Sequence, residues 1–342
     1  MEKQARQRLR RIAIVAAAGA GLLVLCVFAI GMGSVSIPPA RVVEVLLGRV
    51  ASTEPDAIIV TNMRLARVVA SLLGGAALAL SGLLLQSLFH NTIADPYILG
   101  ISSGARLSVG IMMLGGVLTG VVVTGPWMLF VGALAGAMAA MGVMLAFSSR
   151  VRSTATLLII GMMVGYLCSA LVGVLVAFSD DSGIADFTRW SMGSFGLLTW
   201  PKIGVMTVVC LVFFIFSFLL SKDLNALMLG EAYAVTMGVR VKRLRVLIIV
   251  CSGVLTAVVT AFAGLISFVG MSVPHIARMT MRTNDARILI PTTLLFGGIF
   301  GVGCDLIART VIAPNELSIG TVTSFVGVPI VLYLLLSRRK ES

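Results

Sequence analysis

Charged residues are scarce in this sequence. Of its 342 residues only 12% are Asp, Glu, Lys or Arg, whereas 58% are hydrophobic. Soluble globular proteins carry about 25% charged residues. Because so few charges cannot solvate the surface of a chain of this length, the composition excludes a soluble globular protein.

The residues that build metal sites are also few. The five cysteines all lie inside apolar runs without CxxC spacing, and His90 and His275 are far apart in the sequence. Buried cysteines that act as small hydrophobic residues are therefore favoured over a His/Cys metal site. His275 has no acidic partner near it in the sequence, which favours a structural role, although a membrane-embedded enzyme that uses His275 stays open as an alternative.

No lysine of this sequence follows a glycine, so the Gly-Lys-Ser/Thr core of a Walker A loop is missing. If ATP drives this protein, a partner must bind the ATP. Carboxylates are almost missing from the apolar runs too, with Asp305 as the exception, and Arg309 follows it on the same helix face. An ion-coupled secondary transporter, which needs such a group, therefore remains an alternative that depends on Asp305.

Long apolar runs recur along the whole chain. Each has roughly the 20 residues that a helix needs to cross a bilayer core of about 30 Å, and their continuous pattern favours helices over a barrel. They lie at approximately 12–32, 65–89, 105–124, 126–147, 154–178, 201–220, 244–263, 265–281, 288–308 and 317–336. We therefore predict an all-α polytopic membrane protein of about ten transmembrane helices, with residues 1–342 as a single transmembrane domain.

The positive charges indicate the orientation. With a cytoplasmic amino terminus, the inner segments are 1–11, 90–96, 148–153, 221–243, 282–287 and 337–342, and 18 of the 26 basic residues lie in or near them. Only seven lie near the outer segments, and Arg106 belongs to neither group. This excess places both termini in the cytoplasm. The net charge of +12 is thus explained by membrane topology and does not predict nucleic-acid binding.

The inner segment 221–243 is unusually apolar for a cytoplasmic loop. Leu224, Leu227 and Met228 fall at helical spacing, Gly230 interrupts them, and a second short helix is predicted from Glu231 until Gly238. Two such helices would either cap the bundle or insert into a groove of a cytoplasmic partner. The apolar composition favours the partner.

Four stretches together resemble the FecCD-type permeases of ABC importers, the family that takes up ferric siderophores, haem and vitamin B12. The stretches are RLARVVASLLGGAALALSGLLLQSLFHNTIADPYILGISSGA (64–105), LMLGEAYAVTMGV (227–239), FAGLISFVGMSVPHIARM (262–279) and ELSIGTVTSFVGVPIVLYLLL (316–336). The resemblance implies a BtuC-like ten-helix permease of the type II importer fold that is not itself an enzyme. It also implies a second permease copy, two cytoplasmic ABC ATPase subunits that hold ATP and Mg²⁺, and an external or periplasmic substrate-binding protein.

The resemblance further implies roles for three groups of residues. Contact with the ATPase falls to Leu227, Leu229, Gly230, Glu231, Ala232 and Gly238. Docking of the binding protein falls to Arg64, Arg67 and Arg309. The cytoplasmic end of the translocation path falls to Asn91, Asp95, Pro96, Gly100, Ser102, Ser103 and Gly104, with a plain tight turn between two spans as the alternative.

The residue types of that last group are suited to the end of a translocation path. Asn91 and Asp95 are expected to cap helix ends, Pro96 to begin a helix, and Gly100 and Gly104 to permit close backbone approach. The function expected from the resemblance is import of an iron chelate across the bacterial cytoplasmic membrane. A ferric siderophore is the first expectation for the cargo, followed by haem or cobalamin, and no metal ligand or cofactor is expected from this chain.

Overall fold

The fold is described from a computed structural model. It covers residues 2–33, 35, 37–97, 99–115, 125–148, 150–151, 153–313 and 315–338. The regular structure of these residues is entirely helical, as predicted. The predicted inner segment 337–342 and the end of the third predicted span, 116–124, lie largely or wholly outside the described residues.

Ten helices correspond to the ten predicted spans. They are α1 Glu2–Gly31, α3 Pro55–Phe89, α4 Ile101–Leu114, α5 Pro126–Ser148, α6 Thr154–Ala177, α8 Trp200–Leu219, α11 Val241–Ala263, α12 Val269–Met281, α13 Ala286–Thr310 and α14 Ile319–Arg338. Among the described residues, α1, α3, α5, α6, α8, α11 and α13 are long and apolar enough to cross a membrane, with α4, α12 and α14 as shorter members. The all-α membrane fold is confirmed.

Within the described residues, four short helices connect the spans. They are α2 Pro39–Leu46, α7 Asp181–Ser191, α9 Ser221–Met228 and α10 Glu231–Thr236. The last two confirm the pair of short helices predicted in 221–243, and α2 agrees with its Pro-Pro start, which presets the first helical turn. We did not predict α7. Phe187, only 2% exposed, packs into the apolar core and anchors α7 to the bundle.

Helix α3 lies at the centre of the bundle and is buried along most of its length. It contacts α13 through glycine: a Cβ at Gly75 would overlap the carbonyl oxygen of Gly297 and crowd Gly301. A Cβ at Gly82 would likewise overlap the backbone of Gly270 in α12. Small residues at these crossings let the helix backbones touch, which is the usual basis of helix association in lipid.

The chain after α3 turns back into the bundle before α4 begins. His90, in the left-handed conformation, ends α3 and donates a hydrogen bond from Nε2 to the carbonyl of Leu227, 3.0 Å away. Ten residues later, Gly100 already packs against the backbone of Gly161 and Gly165 in the middle of α6. Residues 90–100 therefore run from the predicted cytoplasmic edge into the interior.

The predicted sidedness agrees with the contacts between loops. Segments assigned to the inner side bond to each other through four pairs: His90 with Leu227, Asn225 with Asp285, Arg11 with Met281, and Arg245 with Val151. These contacts require the helix ends and connections that carry these eight residues to lie on one face of the bundle. The alternation of spans predicted from the charges is therefore consistent with the packing.

The contact at Gly75 yields a stability prediction. We expect Gly75→Ala to lower the melting temperature of the purified chain, because the added methyl group forces α3 and α13 apart and such overpacking costs about 1–3 kcal/mol. Thermal unfolding in detergent measures the effect. Gly142→Ala in α5 is the control, because a Cβ there meets nothing within 4 Å. Equal melting temperatures for the two variants would contradict the close contact.

Candidate functional site

The predicted ATPase contact has an apolar outer surface. Leu229 is 68% exposed, Val235 61% and Met237 60%, and Tyr233 also faces outward. In contrast, Leu227 and Ala234 are buried and attach the two helices to the bundle. The surface formed by Leu229, Tyr233, Val235 and Met237 is here called the coupling surface.

Two glycines shape the backbone around that surface. Gly230 has φ +117° and Gly238 has φ +83°, values that side chains with a Cβ rarely adopt. They separate α9 from α10 and end α10, as predicted. The exposed Ala232 lies on α10 between them.

The inner segment 221–243, which we call the coupling segment, forms polar contacts with three different spans. Glu231 forms an ion pair of 2.9 Å with Arg245 at the start of α11. Asn225 donates to Asp285 at 2.7 Å and accepts from the backbone amide of Ala286 at 2.7 Å, which fixes α9 to the start of α13. His90 at the end of α3 is the third link, so polar contacts join this segment to α3, α11 and α13.

The three arginines predicted to dock a binding protein are buried. Arg64, Arg67 and Arg309 are 4%, 8% and 5% exposed, whereas docking residues were expected on the outer rim. Their docking role stays a prediction, and it would require these side chains to leave the partners they have in this structure.

Arg67 is the centre of a buried charge cluster. Its Nε donates to both carboxylate oxygens of Asp305, at 2.9 and 3.0 Å, and its Nη1 to both oxygens of Glu316, each at 2.9 Å. Arg309, which the spacing had suggested as the partner of Asp305, lies farther away at 3.8 Å and also donates to the carbonyl of Ala29. The cluster therefore joins α3, α13 and the segment before α14.

Arg64 has a different set of partners. Its guanidinium donates to the carbonyls of Ile30 at 3.1 Å, Gly31 at 2.9 Å, and Val35. The oxygens of Ile30 and Gly31 lie at the end of α1 and lack partners within that helix, whereas Val35 belongs to the connection that follows. Arg64 therefore caps α1 from α3.

A cavity of about 940 Å³ opens along the bundle beside α14. Its lining combines hydroxyl groups with apolar side chains: Thr188, Ser191, Ser267, Ser318, Thr321 and Ser324 with Met192, Leu265, Phe268, Met271, Phe325 and Val328. Asp95 and Tyr97 from the re-entering segment and Arg106 from α4 complete it. The lining thus includes residues of predicted inner and outer segments, so the cavity extends through much of the bundle.

Within the predicted path group, Asp95 reaches this cavity. It is 6% exposed, its Oδ1 accepts from the amide of Tyr97 at 2.8 Å, and its Oδ2 has no hydrogen-bond partner among the described residues. Asn91 accepts from the amide of Ile93 at 2.9 Å. Both carboxylate and amide thus close Asx turns and cap no helix, contrary to our expectation.

The other path residues build the packing behind the cavity. α4 begins at Ile101, so Pro96 does not start a helix as expected; it is buried against Gly270 instead. Gly100, with φ +77°, and Gly104 allow the backbone contacts with α6 and α5. Ser102 is buried 3.5 Å from the hydroxyl of Thr260, and Ser103 faces Gly165. The interpretation as a plain tight turn does not account for this buried segment.

The geometry gives little support to the alternatives. His275 is a buried residue of α12, and the described residues hold no group of three His, Cys, Asp or Glu suited to a metal ion. Residues 100–104 have the G-x-S-x-G spacing of a hydrolase elbow, but Ser102 lies in the first turn of α4 without a preceding strand, so the context of that motif is missing. Asp305, on which an ion-coupled mechanism depends, is already bonded to Arg67.

Sequence reasoning missed the links that hold the site together. Arg106 lies over the ring of Phe187, 5.6 Å from its centroid, and Asn225, Arg245 and Glu316 form the contacts described above. Each pair joins residues that are distant in sequence or lie on different elements. No local pattern marks them, because the partners are set by which helices become neighbours.

Comparisons with known proteins agree with this architecture. The FecCD transport family matches residues 21–337. The vitamin B12 import system permease protein BtuC of Klebsiella pneumoniae is 39% identical over 81% of this chain and 82% of its own length. The hemin transport system permease protein HmuU of Yersinia pestis is 37% identical over 82% of this chain and 84% of its own.

Solved structures show the same fold. A metal-chelate-type ABC transporter in an inward-facing conformation superposes with a TM-score of 0.83 at 29% identity, over 95% of this chain and 99% of its own. PsaBC from Streptococcus pneumoniae, with a TM-score of 0.52 at 12% identity over 86% of this chain and 95% of its own, shows a related fold only.

The buried cluster yields a prediction. We expect Asp305→Asn to destabilise the chain by about 3–5 kcal/mol, because Arg67 and Arg309 then share the single carboxylate of Glu316 and one buried positive charge is left uncompensated. Thermal unfolding of the purified chain measures this loss. Asp186→Asn, which breaks the largely exposed pair with Arg189, is the matched control and is expected to cost about 0–1 kcal/mol. A similar small loss for both variants would show that the cluster does not hold α3 to α13.

Proposed function

Because this chain belongs to the FecCD transport family, it is a permease subunit of an ABC importer, and we propose that it passes a bulky metal chelate through the cavity beside α14. The observation that carries this proposal is the composition of the cavity wall. Alternating hydroxyl and apolar side chains offer many weak contacts to a large amphipathic ligand, whereas a strong fixed site would hold the ligand back.

The cargo proposed first is a ferric siderophore, as expected from the family, with haem and cobalamin as the competing cargoes. The relatives BtuC and HmuU are named for the import of vitamin B12 and the transport of hemin. All three cargoes are chelates in which the metal is already wrapped by organic ligand. The proposal therefore needs no metal-binding residue from this chain.

The partners follow from the same proposal. A second copy of this chain would close the cavity on its open side, where Phe325, Leu332 and Tyr333 of α14 are exposed. Two cytoplasmic ABC ATPases, which hold ATP and Mg²⁺, would bind the coupling surface of each copy, and an external binding protein would deliver the chelate. The complex would lie in the bacterial cytoplasmic membrane, with Arg64, Arg67 and Arg309 shaping the outer end that the binding protein meets.

The proposed mechanism is alternating access driven from the coupling segment. When the ATPases close on ATP, they move α9 and α10. The links through Asn225, Glu231 and His90 pass this displacement to α13, α11 and α3. Since α3 and α12 touch through Gly82 and Gly270, the wall of the cavity moves with them. Residues 90–100, which lie between the coupling segment and the cavity, are proposed as the inner gate.

ATP-dependent uptake by proteoliposomes that hold the assembled complex tests this proposal. We expect Val235→Asp to abolish uptake and to reduce co-purification of the ATPase at least tenfold, because it places a charge in an apolar contact. Leu197→Asp, at another exposed apolar residue but on a predicted outer loop, is the control for co-purification. Uptake by this chain alone, driven by an ion gradient, would refute the ATP-coupled model, and competition among labelled siderophore, hemin and cobalamin identifies the cargo.

A second variant separates coupling from assembly. We expect Asn225→Ala to leave the ATPase bound but to lower uptake per ATP hydrolysed, because α9 loses both hydrogen bonds to the start of α13, at a cost of about 1–3 kcal/mol. The ratio of chelate transported to phosphate released measures this. Asn284→Ala, an exposed neighbour in the same loop, is the matched control. An unchanged ratio for Asn225→Ala would exclude this link from force transmission.

A further inference from the structure

A groove outside the transport machinery runs between the start of α1 and the connection from α12 to α13. It consists of a cavity of about 770 Å³ and a smaller one of about 160 Å³, which share Gln7, Arg11 and Met281. It lies on the predicted cytoplasmic side, where the inner segments 1–11 and 282–287 meet. We call it the α1 groove.

The polar end of the α1 groove is basic. Arg8, Arg10 and Arg282 border it with exposed side chains, and none of them forms an ion pair with a carboxylate of the described residues. The neighbouring acid, Asp285, is engaged by Asn225 and the backbone amide of Arg287. The positive charge at this end is therefore not neutralised within the described part of the chain.

Arg11 fixes the two walls to each other. Its Nε donates to the carbonyl of Met281 at 3.2 Å and its Nη2 to that of Arg282 at 3.4 Å. Arg282 takes the left-handed conformation, φ +47°, and ends α12 there. The groove between α1 and α12 is therefore preformed. Arg8, Arg10 and Arg282 lie around Arg11, which is hydrogen-bonded to the end of α12.

The other end of the groove is apolar and leads toward the membrane. Ile12, Val15, Ala16 and Ile288 line it, and Ile12 and Val15 remain 57% and 41% exposed. Along α1 the sequence changes from basic to wholly apolar within two turns. A basic end followed by an apolar channel matches a phospholipid, with its headgroup at the surface and an acyl chain below.

We propose that the α1 groove binds one anionic phospholipid of the cytoplasmic leaflet. Its phosphate lies where the two cavities meet, between Arg8 of the larger cavity and Arg10 and Arg282 of the smaller one, and one acyl chain lies along Ile12, Val15 and Ile288. Basic pockets between transmembrane helices on the cytoplasmic side attract anionic headgroups, and each arginine near the surface contributes roughly a fivefold gain in affinity. A zwitterionic lipid lacks the net charge that this end of the groove selects.

The position of the groove gives the bound lipid a mechanical role. The connection 282–285 supplies the carbonyl that Arg11 binds at one end and the carboxylate that Asn225 binds at the other. A lipid seated on Arg282 braces the same connection that holds α9. The lipid site itself does not depend on the transport function proposed above.

Native mass spectrometry of the purified full-length chain tests the site, with phosphatidylglycerol, phosphatidylcholine and inorganic phosphate as probes. We expect the wild-type chain to bind phosphatidylglycerol at least tenfold more tightly than phosphatidylcholine. Arg8→Gln/Arg10→Gln is expected to weaken phosphatidylglycerol binding about 25-fold, since two arginines are lost. Arg150→Gln, an exposed cytoplasmic arginine far from the groove, is the control and should leave it unchanged.

Three results would overturn the proposal. They are equal binding of the two lipids by the wild-type chain, unchanged binding by the double variant, and an equal loss in the Arg150→Gln control. Displacement of phosphatidylglycerol by millimolar phosphate would also overturn it, because it would reveal an anion site without an acyl-chain contribution. Since the side chains of Arg8 and Arg10 make no hydrogen bond to the other described residues, the double variant is expected to melt at the wild-type temperature.

Discussion

Direct backbone contact around α3 is the constraint on which the rest of the structure depends. Gly75 and Gly82 place the backbone of α3 against α13 and α12 without intervening side chains. In lipid there is no hydrophobic gain from bringing two apolar helices together, so close van der Waals packing must supply the attraction. These contacts pack α3, α12 and α13 into one unit. The cavity, the coupling segment and the outer charge cluster are all attached to that unit.

Polar contacts are concentrated at the two ends of the bundle. At the outer end Arg67 joins α3 to Asp305 and Glu316, and at the inner end Asn225, Glu231 and His90 join the coupling segment to three spans. Buried charges are costly in the membrane unless they are paired, which is why Arg67 has two carboxylates. The inner contacts include the partly exposed Glu231, whereas Asp305 at the outer end is almost fully buried.

The segment 90–100 shows how irregular backbone is tolerated inside such a bundle. It re-enters between α3 and α4, where Asn91 and Asp95 accept hydrogen bonds from backbone amides in Asx turns and Gly100 permits close backbone packing. Non-helical backbone at membrane depth survives only when it is buried in protein or lines a cavity, and Asp95 does both. This segment therefore joins the predicted cytoplasmic face to the cavity beside α14.

The sequence by itself determined the spans, their sidedness and the short helices of the coupling segment. Run length, the distribution of arginine, and the placement of Gly230 and Gly238 are local properties that need no knowledge of neighbours. Only the tertiary structure decided that Arg67 takes Asp305, 238 positions away, that α7 is helical, and that Asp95 and Asn91 close turns without capping helices. The reason is physical: apolar faces of different spans are nearly equivalent to lipid, so shape complementarity in the folded bundle chooses which polar groups meet.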